Sequence, residues 1–209
     1  MASCTFVAVT SLLVASMSLA IDQSRRGRWE VGLAIATFAG LLLAGAYYLL
    51  LVASPTIAPL LAKPLQAPVA SASSMNTLYI PKIGLTLPFS DGDNTVLNKG
   101  AWHRWPERGN PERGGNFILA GHRFSMGLTP AETVKKSPFY HLDKIVEGDI
   151  IYIDYVSKRY EYTVKKHFTV KPSQSEIEAP STKPKLTLYS CTLAGEADGR
   201  EVIEATLRS

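Results

Sequence analysis

Cysteine and charge are both scarce in this chain of 209 residues, and each scarcity excludes a class of protein. Two cysteines cannot form the disulfide framework of a small secreted scaffold. Charged residues make up 19% of the chain, against about 25% in an ordinary soluble domain. The formal net charge is only +4, so the sequence lacks the basic surplus typical of nucleic-acid binding. No cysteine and histidine residues have the spacing of a metal site, and we expect no metal or other cofactor.

The shortage of charged residues is confined to the N-terminal third of the chain. Residues 1–76 contain six charged residues, whereas residues 77–209 contain 18 basic and 16 acidic ones. The second portion has the size of one domain with a single core, and its aliphatic and aromatic content excludes disorder. The predicted segments are an apolar N-terminal segment with a basic flank (1–30), a transmembrane helix (31–53), a stalk rich in proline, alanine and serine (54–76) and a folded domain (77–209).

Residues 31–53 form a run of 23 residues without a charge. As a helix this run is about 34 Å long, enough for a bilayer core of about 30 Å. A buried core helix is the alternative. Arg25, Arg26 and Arg28 precede the run, so the positive-inside rule places the N-terminal flank in the cytoplasm and the folded domain outside. The sequence therefore predicts a single-pass membrane protein.

Residues 1–21 are apolar and rich in serine and threonine, but they lack the basic start of a signal peptide. They are a weak signal, a further membrane span or an unused extension. A further span would make the protein two-pass and would leave the folded domain on the same side.

The stalk, residues 54–76, contains four prolines. Proline at this density interrupts helices and favours extended chain, so we expect a semi-rigid spacer. The alternative is that its leucines pack on the folded domain.

The folded domain is predicted to be mostly β. Short apolar or alternating segments occur at 77–89, 116–121, 149–156, 159–170, 185–191 and 201–207. Ser157 and Lys158 suit a hairpin turn, and a short helix is expected around 130–145, with Pro138 near its start. Six or more short strands with little helix indicate an antiparallel barrel or sandwich.

Cys191 is the only cysteine that the predicted topology places outside the membrane. A lone thiol at the end of a strand is either reactive or a small buried hydrophobe. A nucleophilic cysteine needs a base, and His122 follows an apolar run and a glycine, where a scaffold presents a side chain. Three other histidines have plainer interpretations, as a packed loop residue, a helix residue and a surface strand residue: His103, His141 and His167.

Acyl transfer also needs a donor for the developing oxyanion. Arg200 lies nine residues after Cys191 and directly before the last predicted strand. A short loop between adjacent strands brings such residues together. An ordinary solvated arginine after a hairpin has the same spacing.

These residues carry a resemblance to a known family. TLYSC (187–191) resembles the TLxTC signature of sortases, the membrane-anchored cysteine transpeptidases of bacteria. AGHR (120–123) is similar to their histidine motif, and Arg200 matches their arginine before the final strand. The segments at 99–123 and 139–153 also resemble the family, so the likeness covers the whole folded domain.

The resemblance implies a closed eight-stranded β-barrel with one or two short helices. It implies a transpeptidase in which Cys191 forms a thioester, His122 is the acid and base, and Arg200 binds the oxyanion or the substrate backbone. The implied substrates are an LPxTG-like or LAxTG-like sorting signal near the C-terminus of a secreted protein and an amine of the cell envelope. The bilayer around residues 31–53 is the third partner. The absence of a lid motif before the barrel argues against the pilin-polymerising subgroup. The compact domain and the nine-residue spacing from Cys191 to Arg200 resemble the class D/E-type enzymes.

Two residues depart from the family pattern, and other functions stay open. Ser190 replaces the usual threonine and keeps its hydroxyl, while Tyr189 fills a variable position. The alternatives are a sortase-like thiol hydrolase and a membrane-tethered, non-catalytic β-barrel that binds a partner. An L,D-transpeptidase fits less well, because its motif resembles HGC with an arginine two residues later.

Overall fold

The structure, a computed structural model, describes the backbone of residues 3–61 and 75–208. The chain divides into two compact units, Met1–Leu49 and Leu50–Ser209. One long helix, α1 (Ser3–Leu61), begins in the first unit and ends in the second.

Within the described residues, one stretch of helix is long and apolar enough to cross a membrane, Gly27–Pro59. It contains the predicted span 31–53, and its large side chains are exposed along most of its length, as at Leu41 and Leu43. The helix continues without a break through residues 22–30, where a second span would need a turn. Whether residues 1–21 form a further span stays a prediction.

The helix also continues into the predicted stalk, as far as Leu61. We expected extended chain here, because proline lacks the N–H that closes a helical hydrogen bond. Pro55 leaves the Leu51 carbonyl without its helical donor, and the Ser54 hydroxyl donates to that carbonyl at 2.8 Å. The Ser54 hydroxyl thus replaces the hydrogen bond that the Leu51 carbonyl loses to Pro55. The rest of the predicted stalk, 62–74, lies outside the described residues.

Nine strands follow within residues 75–208. They are β1 (Thr77–Ile80), β2 (Leu85–Ser90), β3 (Ala101–Arg104), β4 (Gly109–Asn110), β5 (Gly114–Ala120), β6 (Ile150–Tyr155), β7 (Lys158–Val170), β8 (Lys185–Thr192) and β9 (Gly195–Leu207). The sheet order is β3-β2-β1-β6-β7-β9-β8-β5, and β3 also pairs with β5. This last pairing closes an eight-stranded barrel, as predicted, and β4 is a two-residue addition on β5.

The predicted β segments are strands, with local differences. The hairpin turn between β6 and β7 is at Val156 and Ser157, one residue earlier than expected, and both have positive φ. The helix of this region is α2 (Pro130–Lys136), which is shorter than predicted. Thr129 caps it and Pro130 begins it, so Pro138 lies after the helix and not near its start.

Strands β5, β8 and β9 carry apolar residues on both of their faces. The interior of the barrel contains the main core, built around Leu78, Phe117 and Tyr162. A second buried group, here called the outer cluster, lies on the opposite face of β5, β8 and β9. Its members are Ile118, Ala120, Ile177, Tyr189 and Val202, with Leu97, Phe168 and Val170 packed at its edge. Since side chains alternate along a strand, these residues line the outside of the barrel.

Candidate active site

The pairing of β5 with β8 places His122 and Cys191 at the same end of neighbouring strands. The two strands are parallel, and Ala120 is the partner of Tyr189. The Gly121 N–H donates to the Tyr189 carbonyl at 3.1 Å, which extends the pairing beyond β5. His122 and Cys191 each lie two residues beyond the Ala120–Tyr189 pair, so the fold brings the two predicted residues to one edge.

Arg200 faces Cys191 across the hairpin of β8 and β9. The two residues are direct partners in the antiparallel register, and side chains of such partners leave the same face with Cβ atoms about 5 Å apart. We expected Arg200 to precede the last strand. It lies inside β9, because that strand begins at Gly195. The hairpin is thus tighter than the sequence indicated.

The Arg200 guanidinium is held by the backbone of its own hairpin. Its Nη1 donates to the carbonyl oxygens of Glu196 at 2.7 Å and Gly199 at 3.1 Å. Among the described residues, Nε and Nη2 make no hydrogen bond of their own. The guanidinium is therefore fixed at one nitrogen, and its Nε–H and Nη2–H groups are available as hydrogen-bond donors.

His122 is half-buried in the loop that leaves β5. Burial disfavours the imidazolium and lowers the pKa of His122 below its ordinary value. The His122 carbonyl accepts a hydrogen bond from the Phe139 N–H at 3.1 Å. The fully buried ring of Phe139 lies against Gly121, where a Cβ would approach the ring to 2.7 Å. The glycine of the AGHR motif is thus required for this packing.

The next residue, Arg123, is buried and pairs with Asp143 at 2.8 Å. Burial opposes ionisation of Asp143, but Lys144 and Arg123 outweigh it and hold the pKa of this carboxyl below its usual range. Two nitrogens of Arg123, Nε and Nη1, are buried without a partner within the described residues. This ion pair connects the loop after His122 to the chain that follows Phe139.

The outer cluster lies on the same face of the sheet as the side chains of Cys191 and Arg200. Tyr189 is two residues before Cys191 on β8, and Val202 is two residues after Arg200 on β9. Residues two apart on a strand share a face. All five members of the outer cluster are buried, so the cluster is a packed apolar base that ends beside the thiol.

The connection between β7 and β8 closes one side of this apolar face, and Glu178 holds it. The Glu178 carboxylate accepts from the Trp105 indole N–H at 2.9 Å and pairs with Arg104 at 2.9 Å. The Tyr189 hydroxyl donates to it at 2.5 Å. Burial raises the pKa of the Tyr189 phenol, and the carboxylate beside it raises that pKa further. Glu178 thus ties the connection to β3 and β8.

Asn116 on β5 adds a second tie to the same connection. Its buried amide donates to the carbonyls of Ile177 at 3.1 Å and Ala179 at 2.8 Å, on either side of Glu178. Our sequence interpretation missed these anchoring residues. Except for Tyr189, eleven positions from Glu178, the partners named here lie more than sixty positions away in the sequence, so no local pattern indicates these contacts.

The remaining histidines make structural contacts. His103 is buried between Asp91, at 2.6 Å, and the Gly109 carbonyl, at 3.1 Å, as its packed interpretation predicted. His167 is half-buried and pairs with Glu201, so the surface interpretation was incomplete. His141 lies outside α2, just before a short 3-10 turn, and its Nε2 bonds the Pro55 carbonyl. Among the side chains that the structure describes, those of residues 27–59 and 75–208, no group of three or more His, Cys, Asp or Glu residues is arranged to hold a metal ion.

The comparisons with known proteins agree with this geometry. A family model described as a sortase domain matches residues 78–208. The fold is similar to the sortase D5 transpeptidase of Clostridium perfringens, with 24% identity and a TM-score of 0.54 over 66% of this chain and 80% of that one. The match to sortase A of Listeria monocytogenes has 24% identity and a TM-score of 0.56, over 66% of this chain and 89% of that one. The match to sortase A of Corynebacterium diphtheriae has 24% identity and a TM-score of 0.55, over 72% of this chain and 74% of that one. No curated protein sequence matches the chain.

Proposed function

The chain belongs to the sortase family, and from that membership we propose that it is a membrane-anchored cysteine transpeptidase acting on sorting signals of secreted proteins. The proposal is supported mainly by the placement of Cys191, His122 and Arg200 at one end of neighbouring strands. Cys191 faces Arg200 across β8 and β9, and the parallel pairing of β5 with β8 brings His122 to the same edge.

The proposed reaction is acyl transfer in two steps. The Cys191 sulfur attacks a backbone carbonyl carbon of an LPxTG-like or LAxTG-like signal, and its proton passes to His122. The tetrahedral intermediate collapses to a thioester when the C–N bond breaks and His122 protonates the leaving amine. An amine of the cell envelope then attacks the thioester carbon and gives a proton to His122. The new amide bond forms as the C–S bond breaks, and His122 returns the proton to the Cys191 sulfur.

Arg200 supplies the positive charge for this chemistry. As the carbonyl becomes tetrahedral, its oxygen gains negative charge, and a fixed donor lowers the energy of that state. The contacts of Nη1 with the hairpin carbonyls hold the guanidinium before the substrate arrives. The same donors suit the backbone of a signal that lies beside Cys191 and Arg200.

The first experiment incubates the full-length chain, in detergent micelles, with a panel of LPxTG-type and LAxTG-type peptides. Each reaction is run with and without an amine acceptor, and mass spectrometry follows a thioester on Cys191 and the transfer product. A thioester that turns over only with the amine supports a transpeptidase and identifies the signal class. Release by water at the same rate favours the thiol hydrolase. A chain that forms no adduct and whose thiol resists alkylation would be a binding module, and the proposal would be wrong.

The proposed topology has the N-terminus in the cytoplasm and the barrel outside the bacterial membrane. The three arginines before the span favour this orientation. A protease added to intact cells is expected to remove a tag fused after Ser209 and to leave a tag fused before Met1. Protection of the C-terminal tag would reverse the orientation. The class D/E assignment also stays a prediction, and the peptide panel tests it through the signal that is accepted.

The pH profile of kcat/KM is expected to have an acid limb with its midpoint below 6.5, the ordinary pKa of His122. Burial lowers this pKa, so His122 stays neutral to lower pH and keeps accepting the thiol proton. Activity is lost as the pH falls through the lowered pKa. A peptide without ionisable side chains keeps substrate titration out of the profile. A midpoint at or above the ordinary value would contradict the role of His122.

Glu178→Gln is expected to raise KM for the peptide about five- to tenfold, with a smaller change in kcat. The amide keeps one acceptor oxygen but replaces the other with an NH2 group, which faces donors such as the Trp105 indole N–H and the Tyr189 hydroxyl. The charge that pairs with Arg104 is also lost, so the connection between β7 and β8 is held less firmly beside the outer cluster. Glu176→Gln is the matched control, since Glu176 is exposed on the same 3-10 turn. An equal effect of both variants, or an unchanged KM for Glu178→Gln, would show that Glu178 does not shape the peptide site.

A further inference from the structure

The last turns of α1 are seated on the barrel domain. Leu51, Ser54 and Pro55 are buried, and Ala58 is half-buried. These positions recur at intervals of three and four residues, so they form one face of the helix. They belong to the same compact unit as the barrel, which begins at Leu50.

A histidine of the barrel domain completes the hydrogen bonding of this helix end. Pro59 has no N–H for the Pro55 carbonyl, just as Pro55 has none for Leu51. His141 Nε2 lies 2.8 Å from the Pro55 carbonyl oxygen. A carbonyl only accepts, so Nε2 carries the proton and donates. Beside it, the Tyr140 hydroxyl lies 3.0 Å from the Thr56 hydroxyl.

Both contacts are made by residues that directly follow Phe139. The Phe139 N–H holds the His122 carbonyl, and the Phe139 ring fills the space beside Gly121. The ion pair of Arg123 with Asp143 makes a further connection between the same two segments. The segment 139–143 therefore contacts the end of α1 on one side and the His122 loop on the other.

We propose that the docked end of α1, residues 51–56, is a positioning element for His122 that acts through Tyr140 and His141. The proposal rests on the proposed function in assigning the acid and base role to His122. By fixing residues 140 and 141, the helix end restricts Phe139 and, through it, the half-buried position of His122. The membrane anchor is then part of the catalytic domain as well as a tether.

The test uses the full-length chain in detergent micelles and compares His141→Phe with His141→Gln. Phenylalanine keeps the ring and removes the N–H donor, whereas glutamine supplies an N–H to the Pro55 carbonyl. Tyr140→Phe removes the second contact. Thr37→Val is the matched control, because Thr37 is exposed on α1 and its hydroxyl bonds only within the helix, to the Ala34 carbonyl at 2.9 Å.

Two readouts are independent of turnover. Hydrogen exchange at the Phe139 amide is expected to become about tenfold faster in His141→Phe and in Tyr140→Phe. The titration midpoint of His122, followed by NMR of labelled histidine and assigned with His122→Gln, is expected to rise towards its ordinary value as the side chain gains solvent. His141→Gln and Thr37→Val are expected to match the wild type in both.

The kinetic readout is a fall in kcat of about three- to tenfold for His141→Phe, with little change in KM, and recovery in His141→Gln. Unchanged exchange at Phe139 would overturn the docking. Faster exchange with an unchanged His122 midpoint would overturn the positioning role and leave a purely structural contact. A wild-type chain that transfers no acyl group refutes the proposed function, while the exchange and titration results still decide whether α1 positions His122.

Discussion

Cys191→Ala is expected to abolish acyl transfer, with a loss of roughly 10⁴-fold or more, and to leave the barrel folded. Without the sulfur no thioester forms, and the remaining donors have no nucleophile to assist. The thiol is only partly buried at the end of β8, so its removal costs little packing. Initial rates of transfer, with circular dichroism of the same samples, check the expectation.

The matched control is Cys4→Ala, which removes the other cysteine of the chain. It is expected to transfer at the wild-type rate. Transfer by Cys191→Ala at a comparable rate would refute the mechanism. An unfolded Cys191→Ala chain would instead make the thiol a structural residue, and Cys191→Ser would then have to restore the fold without restoring activity for the mechanism to stand.

Arg200→Lys is expected to lower kcat/KM by about 10²- to 10³-fold, the range seen when one oxyanion donor is removed. Lysine keeps the charge, but a single ammonium cannot bond the hairpin carbonyls and the substrate oxygen as a planar fork does. In the structure Nη1 is already committed to the Glu196 and Gly199 carbonyls. A lysine ammonium that donates to the Glu196 and Gly199 carbonyls therefore has no second fixed donor for the substrate oxygen.

Arg113→Lys is the matched control for this variant. Arg113 is exposed and also donates to a loop carbonyl, that of Pro106 at 3.2 Å. Its replacement is expected to leave kcat/KM unchanged. Full activity of Arg200→Lys would show that Arg200 is an ordinary surface residue, and the oxyanion donor would then have to be sought elsewhere at the site.

The strands that the sequence predicted share one property: alternating or continuous apolar residues bounded by turn residues, as in β6 and β7. β3 was missed because it is four residues long and carries Trp102, His103 and Arg104, which have no apolar alternation. The helix beyond Ser54 was missed because propensity penalises proline. The groups that compensate for the two prolines are a neighbouring hydroxyl and a histidine 86 positions away.

The sequence singled out His122, Cys191 and Arg200 because each lies beside a recognisable strand, and their catalytic roles stay predictions. Their surroundings were not found. Phe139 beside Gly121, and Glu178 below Tyr189, act through contacts that exist only after the strands are paired. Sequence patterns report which face a residue occupies, whereas the position of an acid, base or donor depends on which distant segments pack against it.

The parallel pairing of β5 with β8 also determines when this site can exist during folding. It joins Ala120 to Tyr189, residues about 70 positions apart, and contacts of such sequence separation form late because closing the intervening chain costs entropy. Cys191 and Arg200 share a local hairpin that can form early, whereas His122 meets them only when the two strands zip together. A chain caught before that step has the Cys191 thiol and the Arg200 guanidinium side by side without His122, so the proposed site is complete only once β5 has paired with β8.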